Sequence, residues 1–301
     1  HKPAGYGRIG RSPAGEVLRI VEESHANIKE AAINEVNSGT YCFEVELLID
    51  AVKKLRPQGA KKELYLTDCL EVVRAEGGRI TAFNSAVSEE VLGINTRLQL
   101  AQAERVLNRR MLERLMLSGV TVVDPNAVYV DADVEVGQDS VLYPGTILKG
   151  RTKIGKLCRI GPYSLIEDST IGNDCGISFS QVSGARILEK TEIGPFSHLR
   201  AGTVIGPRAR VGNFSEVKAS RIGFGSKIPH LSYVGDADIA EDVNVGAGTI
   251  TCNYDGVEKH RTTIGAKAFI GSNVNLVAPV TIGRGAKIGA GSTITENVPD
   301  G

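Results

Sequence analysis

Tryptophan is absent from this 301-residue chain and aromatic residues make up only 5% of it. The chain therefore lacks the stacking platforms expected of a single-strand nucleic-acid binder or a large aromatic interface. Net charge is also missing, because 35 Lys and Arg side chains balance 35 Asp and Glu. No basic stripe is offered to a phosphate backbone or an anionic membrane, so neither nucleic acid nor membrane is an expected partner. The apolar stretch around Leu276 to Val280 falls far short of the roughly 18 residues that begin to suggest a membrane span. Cysteines are few and odd in number: Cys42, Cys69, Cys158, Cys175 and Cys252 form no C-x-x-C pair. A disulfide framework and a structural zinc site are both disfavoured, and a reducing cytoplasm is expected. No initiator Met, basic n-region or apolar h-region opens the sequence, which reads as a fragment without a signal peptide.

What the chain has is glycine, unevenly placed. Ten of its 35 glycines lie in residues 1–123 and 25 in residues 124–301. In the second part an aliphatic-Gly pair recurs 14 times, from Val136-Gly137 through Ile160-Gly161, Val211-Gly212 and Val245-Gly246 to Ile288-Gly289, often 6 or 12 residues apart. A period of six cannot make an amphipathic helix. It suits short strands separated by turns, with the aliphatic residue pointing inward each time. The expected fold is a solenoid, and the pattern resembles the hexapeptide-repeat left-handed parallel β-helix, which implies coils of three short faces.

Two stretches break the period and are expected to be loops, Gly225 to Tyr233 and Cys252 to Thr263. Loops on a rigid scaffold are where chemistry is usually placed. Ahead of the repeats, Asn95 to Gly119 reads as one helix with an apolar stripe of Leu98, Ala101, Val106, Leu107, Met111, Leu112 and Leu115. Residues 1–94 mix strand-like runs (Val17 to Val21, Thr40 to Phe43) with a helical stretch near Val45 to Leu55. The expected organisation is a partial α/β domain over 1–94, a linker helix over 95–119 and a β-helix over 120–301.

Gly5-Tyr6-Gly7-Arg8-Ile9-Gly10 matches G-x-G-x-x-G. Pro13 and Gly15 interrupt the helix that a dinucleotide fold would need next. A glycine loop approaching an anionic sugar phosphate is the better functional reading, and a hairpin turn the plainer one.

Further motifs carry a resemblance. Gly5 to Ile9, Val21-Glu22, Ile33 to Gly39, Leu64 to Asp68 and Gly93 to Arg97, followed by Val211 to Lys218, His230 to Ala237 and Asn244 to Gly256, run in one order. Together they resemble the bacterial bifunctional family that joins an N-acetylglucosamine-1-phosphate uridyltransferase to a glucosamine-1-phosphate acetyltransferase. The first half then resembles part of a nucleotidyltransferase-like domain. The resemblance implies acetyl transfer from acetyl-CoA to the amine of glucosamine 1-phosphate. In the whole family protein the product is coupled to UTP, giving UDP-N-acetylglucosamine for cell-wall precursors. Homotrimers and Mg²⁺ are implied as well. The family's nucleotide-binding loop and an Asp ligand of Mg²⁺ would precede His1, and a tail with an Arg for coenzyme A would follow Gly301. Negligible uridyltransferase activity and weakened coenzyme A binding are therefore expected of this chain.

Residue by residue, the resemblance assigns the catalytic base to His230 and the sugar phosphate to Arg200, Lys218, Tyr233, Asn244 and Lys259. Acetyl-CoA falls to Ala247, Asn253, Tyr254, Ser272 and Ala290. UDP-N-acetylglucosamine falls to Gly7, Glu22, Asn37 and Asn95, with Asn95 also a metal ligand and Tyr65 and Thr67 nearby. The chemistry agrees with these types. A sugar ammonium must lose a proton before attacking a thioester, and a His titrates in the right range. Arg grips phosphate oxygens in a fork and Lys acts as a point charge. Small residues admit a pantetheine arm and let backbone amides reach the oxyanion. Glu216 is expected to orient the amine or the His, while His198 and His260 read as surface or packing residues. An acetyl-Cys252 intermediate is disfavoured because no His is placed to activate the thiol.

Two other readings compete. A γ-carbonic-anhydrase-like lyase uses the same solenoid but needs three convergent histidines, which the spacing does not offer. A non-catalytic sugar-nucleotide-sensing or scaffold protein would have lost the His230 and Asn253-Tyr254 segments, which are present.

Overall fold

A computed structural model describes residues 5–57, 63–85 and 87–301. The chain divides into two compact units, His1–Glu104 and Arg105–Gly301.

In the first unit β1 (Arg8–Arg11) and β2 (Val17–Val21) form an antiparallel hairpin. One-turn α1 (Ile28–Ala31) starts from a capping box between Asn27 and Glu30. Helices α2 (Val45–Lys54) and α3 (Cys69–Ala75) bury Ala51, Cys69 and Val73 against each other. The Val17 strand and the Val45 helix follow the sequence pattern. The expected strand at Thr40 to Phe43 does not form. No strand among the described residues pairs with it, and Tyr41 and Phe43 instead set their rings 5.8 Å apart and pack on the two small apolar clusters.

The second unit is the expected parallel β-helix. Its strands form three sheets of ten, ten and nine members, in which every neighbour lies one coil away. The first face runs from Thr121–Val122 to Lys287–Ile288, the second from Tyr129–Val130 to Thr293–Ile294, and the third from Glu135–Val136 to Val280–Ile282. With rungs about 4.8 Å apart, ten of them span roughly 43 Å.

The inward residues expected from the repeat, Ile160, Ile193, Val211, Val245 and Ile270, stack along one face, and Ile177 and Ile228, which lack the following glycine, take the same inward place; nearly all are fully buried. Each coil must also turn three corners inside an apolar tube, where backbone carbonyls would be left without partners. Buried hydroxyls meet that need. Ser197 donates to the Gly212 carbonyl at 2.7 Å, Thr203 to Val217 at 3.1 Å and Ser226 to Ala240 at 2.6 Å. Cys158 and Cys175 occupy equivalent positions, their thiols donating to Gly172 and Leu188 at 3.1 Å.

Helix α4 (Arg97–Leu117) forms where Asn95 to Gly119 reads as a helix, and the division between the two units falls within it. Its apolar stripe is only partly used: Leu112 and Leu115 are buried with the first coils, whereas Leu98 and Leu107 are exposed. The last turns of α4 close the end of the solenoid. Asn108 donates to the Val128 carbonyl at 2.8 Å and accepts from the Val130 amide at 2.9 Å, and Arg114 donates to the Ala132 carbonyl at 3.1 Å. An open solenoid end exposes unpaired strands, and this helix covers one.

The interruption expected at Gly225 to Tyr233 is not a loop. Lys227–His230 is a strand of the first face and Tyr233–Gly235 a strand of the second. Val211 pairs with Ile228, and Pro229 stands where the repeat usually has glycine. The periodicity is intact but its marker residue is replaced. Gly212 makes room for this: a Cβ there would fall inside the Pro229 carbonyl. Gly212→Ala is expected to destabilise the chain by about 1–3 kcal/mol, the usual range for overpacking against a backbone that cannot move aside. Thermal unfolding measures it, and an unchanged midpoint would refute the steric argument.

Candidate functional site

His230 ends its first-face strand at the corner leading to the second face, exposed to solvent. Its ring is not free to turn. Asn213 occupies the same position one coil earlier, and its side-chain oxygen lies 2.5 Å from His230 Nδ1. An amide oxygen accepts only, so Nδ1 carries a proton, and in the neutral ring Nε2 is the nitrogen with the lone pair. Asn213 is absent from the sequence-derived site. The signal for it is the 17-residue offset between the two positions, which reveals itself only once Pro229 is recognised as part of the repeat.

On the second face, register stacks His198, Glu216 and Tyr233 in one outward row. The next row holds Lys218 and Gly235. Tyr233 folds across that glycine, since a Cβ on Gly235 would lie 2.5 Å from the phenol oxygen and 2.9 Å from Asn253 Nδ2. Arg200, just after Leu199, reaches Glu216 at 2.9 Å. Glu216 is therefore engaged by Arg200, while the His230 ring is held by Asn213. The Lys218 amine is pushed below its ordinary value by hydrogen-bond-range contact with Lys259, with Arg200 adding to the repulsion. Arg200, Lys218 and Lys259 thus converge as expected. A lysine depressed in this way destabilises the folded state while protonated, and the penalty is relieved as pH rises through the depressed value or when an anion settles among the cations.

The expected interruption from Cys252 to Thr263 is present, projecting from a coil in which 25 residues separate Asn244 from its partner Phe269, against 17 between Arg210 and Lys227. Within it Tyr254 and Lys259 form an antiparallel bridge. Asn253, at its base, is buried and donates to Asp236 at 2.5 Å. Its amide is spent on holding the base of this segment. Tyr254 is exposed, its hydroxyl donating to the Gly256 carbonyl at 2.7 Å.

Ala247, Ser272 and Ala290 follow His230 as successive members of one corner column, fixed by the bonds Gly248 N to Leu231 O, Asn273 N to Ala247 O and Gly291 N to Ser272 O. Beside the later members lies a shallow recess of about 540 Å³, lined among others by Asn244, Phe269, Ser272, Lys287 and Ala290. Asn244 accordingly stands on the first face, away from Arg200, Lys218 and Tyr233 on the second. Cys252 is half-buried, and burial pushes its thiol up, which disfavours the thiolate a nucleophile needs.

In the first unit Gly7 and Asn37 come together, and Glu22 follows Val21, the β2 residue paired with Arg8. The Asn37 amide donates to the Gly7 carbonyl at 2.8 Å, and its side chain donates to the Tyr41 hydroxyl at 2.6 Å. Thr67 donates to Glu22 at 3.1 Å. Tyr65 turns its hydroxyl to Glu63 at 3.1 Å. Gly7 has a packing reason to be glycine, because a Cβ would lie 2.9 Å from Ile20. Gly5-Tyr6-Gly7 leads into β1 of the hairpin, with no dinucleotide-type helix after it. Asn95 precedes α4, its amide donating to Gln99 at 2.8 Å. No group of three His, Cys, Asp or Glu side chains suited to a metal comes together among the described residues. One amide oxygen falls short of the near-octahedral shell of Mg²⁺, so the residues present do not complete the expected metal site.

The structure predicts a single dominant His230 tautomer. Asn213→Ala is expected to admit the Nε2–H form, read from the ¹⁵N shifts of the neutral ring. A variant spectrum indistinguishable from the parent would overturn the role given to Asn213.

Residues 261–296 match the family model described as bacterial transferase hexapeptide (six repeats). The bifunctional protein GlmU of Heliobacterium modesticaldum is 52% identical over 299 residues, covering 99% of this chain and 65% of that protein. Its counterpart in Carboxydothermus hydrogenoformans is 49% identical over 298 residues, covering 99% of this chain and 67% of that protein. The chain thus spans about 65% of the length of the first of these curated relatives. Among solved structures, Arabidopsis UDP-N-acetylglucosamine acyltransferase is 17% identical with a TM-score of 0.40, covering 55% of this chain and 68% of that one.

Proposed function

The chain belongs to the bifunctional GlmU family, and from that premise we propose that it transfers the acetyl group of acetyl-CoA to the amine of glucosamine 1-phosphate. The observation that carries this reading is the His230–Asn213 pair, one corner away from the face that bears three convergent cations. Arg200, Lys218 and Lys259 receive the phosphate, and Tyr233 flanks the sugar. His230 Nε2 takes the proton that the amine sheds as its nitrogen bonds to the thioester carbon. The C–S bond then breaks, and the departing sulfur takes up a proton to leave as coenzyme A. The products are N-acetylglucosamine 1-phosphate and the free thiol. The column of Ala247, Ser272 and Ala290 offers the pantetheine arm an unobstructed track, and Asn253 and Tyr254 complete the donor side. The raised Cys252 thiol favours direct transfer over an acetyl-enzyme.

A homotrimer forms part of the proposal. The residues assigned to one small sugar stand on two outward faces of a convex prism: Arg200, Lys218 and Tyr233 on the second, Asn244 on the first. Diverging faces of one chain cannot converge on one ligand, whereas neighbouring copies bring a first face to a second. An exposed row of Tyr163, Phe179, Phe196 and Phe214, with centroids 5.4 to 5.7 Å apart, runs along the corner that ends beside His230 and offers apolar surface for such packing.

For the whole bifunctional protein the same reading adds coupling of the product to UTP to give UDP-N-acetylglucosamine. Gly7, Glu22, Asn37 and Asn95 would contribute to that sugar-nucleotide site, and Mg²⁺ belongs with that half of the protein. We also retain the division into 1–94, 95–119 and 120–301, since α4 serves as a connector. Five unbridged cysteines suit a reducing, cytoplasmic setting. No helix among the described residues is long and apolar enough to cross a membrane.

His230→Ala is expected to lower acetyl turnover by roughly 10² to 10⁴, the usual contribution of a positioned general base, with the KM for the sugar little changed. Near-normal turnover in this variant, or loss of activity on Cys252→Ala, would refute the assignment. Sedimentation is expected to give three copies, and a monomer with full acetyl transfer would exclude the shared site.

A further inference from the structure

The hairpin that presents Lys259 faces an electrostatic difficulty. Lys259 approaches Lys218, with Arg200 close enough to add to the repulsion. The nearby carboxylates relieve it only in part, since Glu216 is bound to Arg200 at 2.9 Å and Asp236 accepts from Asn253. Like charges therefore push Lys259 outward, and a short exposed hairpin has little intrinsic stability with which to resist. Apolar burial does not hold it, because Tyr254 is 60% and Val257 85% exposed.

Polar bonds hold it instead, and they meet at one carboxylate. Asp255 Oδ1 accepts from the Val257 and Glu258 amides at 2.8 and 2.7 Å, which fixes the tip. Asp255 Oδ2 lies 2.6 Å from Nε2 of His260, the residue immediately after Lys259. The His260 amide in turn donates to the Asn253 carbonyl at 2.8 Å, at the buried base. The tip is thereby tied to the base on both sides of Lys259. His260 is the half-buried member of an otherwise exposed segment from Tyr254 to Arg261.

We propose that His260 is a positioning residue for the anionic group of the acceptor: its bond to Asp255 latches the Asn253–His260 hairpin so that Lys259 stays beside Lys218. The proposal rests on the reading that Arg200, Lys218 and Lys259 take the substrate phosphate, and it extends the site to a side chain that sequence reasoning leaves as surface. His260 touches no substrate. Its ring is committed to Asp255, so its loss weakens phosphate binding and spares the proton transfer at His230.

Steady-state acetyl transfer tests this with His260→Ala, His260→Gln and Lys218→Ala, using glucosamine 1-phosphate and, separately, unphosphorylated glucosamine. His260→Ala is expected to raise the KM for glucosamine 1-phosphate about three- to fivefold, the scale of one exposed ion-pair interaction, with kcat within twofold. His260→Gln, which can still donate to Asp255, is expected to recover most of the loss. Activity on glucosamine is expected to be unchanged by either. Lys218→Ala is expected to raise the phosphorylated sugar's KM about tenfold or more, as for a charged contact removed outright. If Lys218→Ala raises KM but His260→Ala does not, or if Gln rescues no better than Ala, the latch is wrong while the phosphate site stands. If Lys218→Ala leaves KM unmoved, the phosphate reading fails and the latch falls with it.

Discussion

Backbone stacking between coils governs the second unit. Each rung bonds to the rung one coil before and after it, so a side chain's position in its coil decides which outward column it joins. Asn213 and His230 meet for this reason, as do Glu216 and Tyr233, at separations of 17 residues. Neither pair depends on local chain geometry. A one-residue slip in either coil would turn the inward aliphatics outward and dissolve both pairs together, so the apolar core sets the register of the chemistry.

That rigidity has a consequence for charge. A solenoid presents convex outer faces, where solvated cations ordinarily repel one another weakly and move apart. Lys218 is fixed on a strand and Lys259 on a hairpin whose base is buried, so they stay close enough to depress the Lys218 amine. A phosphate dianion is the natural complement to such a cluster. The first face supplies none of these groups; it offers the shallow recess beside Ser272 and Ala290. Under the proposed reading the residues assigned to one sugar stand on both faces, Asn244 on the first and Lys218 and Tyr233 on the second, and neighbouring copies are the simplest way to bring them together.

The repeat was legible because aliphatic and glycine side chains mark a position that every coil shares. It became illegible where another residue filled the marker position. Pro229 gives Lys227 to His230 the look of a loop, although it is a strand paired with Arg210 to Asn213. With that rung hidden, Asn213 could not be placed opposite His230. The partner of Glu216 was hidden for a different reason, since only the register between coils puts Arg200 within its reach. In the first unit Thr40 to Phe43 has strand-like residues but no partner strand, and its rings go to the small cores instead. The α4 stripe likewise names seven apolar residues, of which only Leu112 and Leu115 are buried.

Glycine joins the scaffold and the chemistry. Gly212 lies beneath the Pro229 carbonyl, and Pro229 immediately precedes His230, so the space left by one missing Cβ sets the height at which the histidine's coil can stack. Gly235 makes room for a side chain instead: the Tyr233 phenol crosses the position where a Cβ would otherwise stand, beside Asn253 at the hairpin base. Adding a methyl would press on the Pro229 backbone at Gly212 and displace the Tyr233 and Asn253 side chains at Gly235, before any substrate contact was lost. The glycine content that first marked the fold is, at these two positions, also what allows the histidine and the tyrosine to stand where they do.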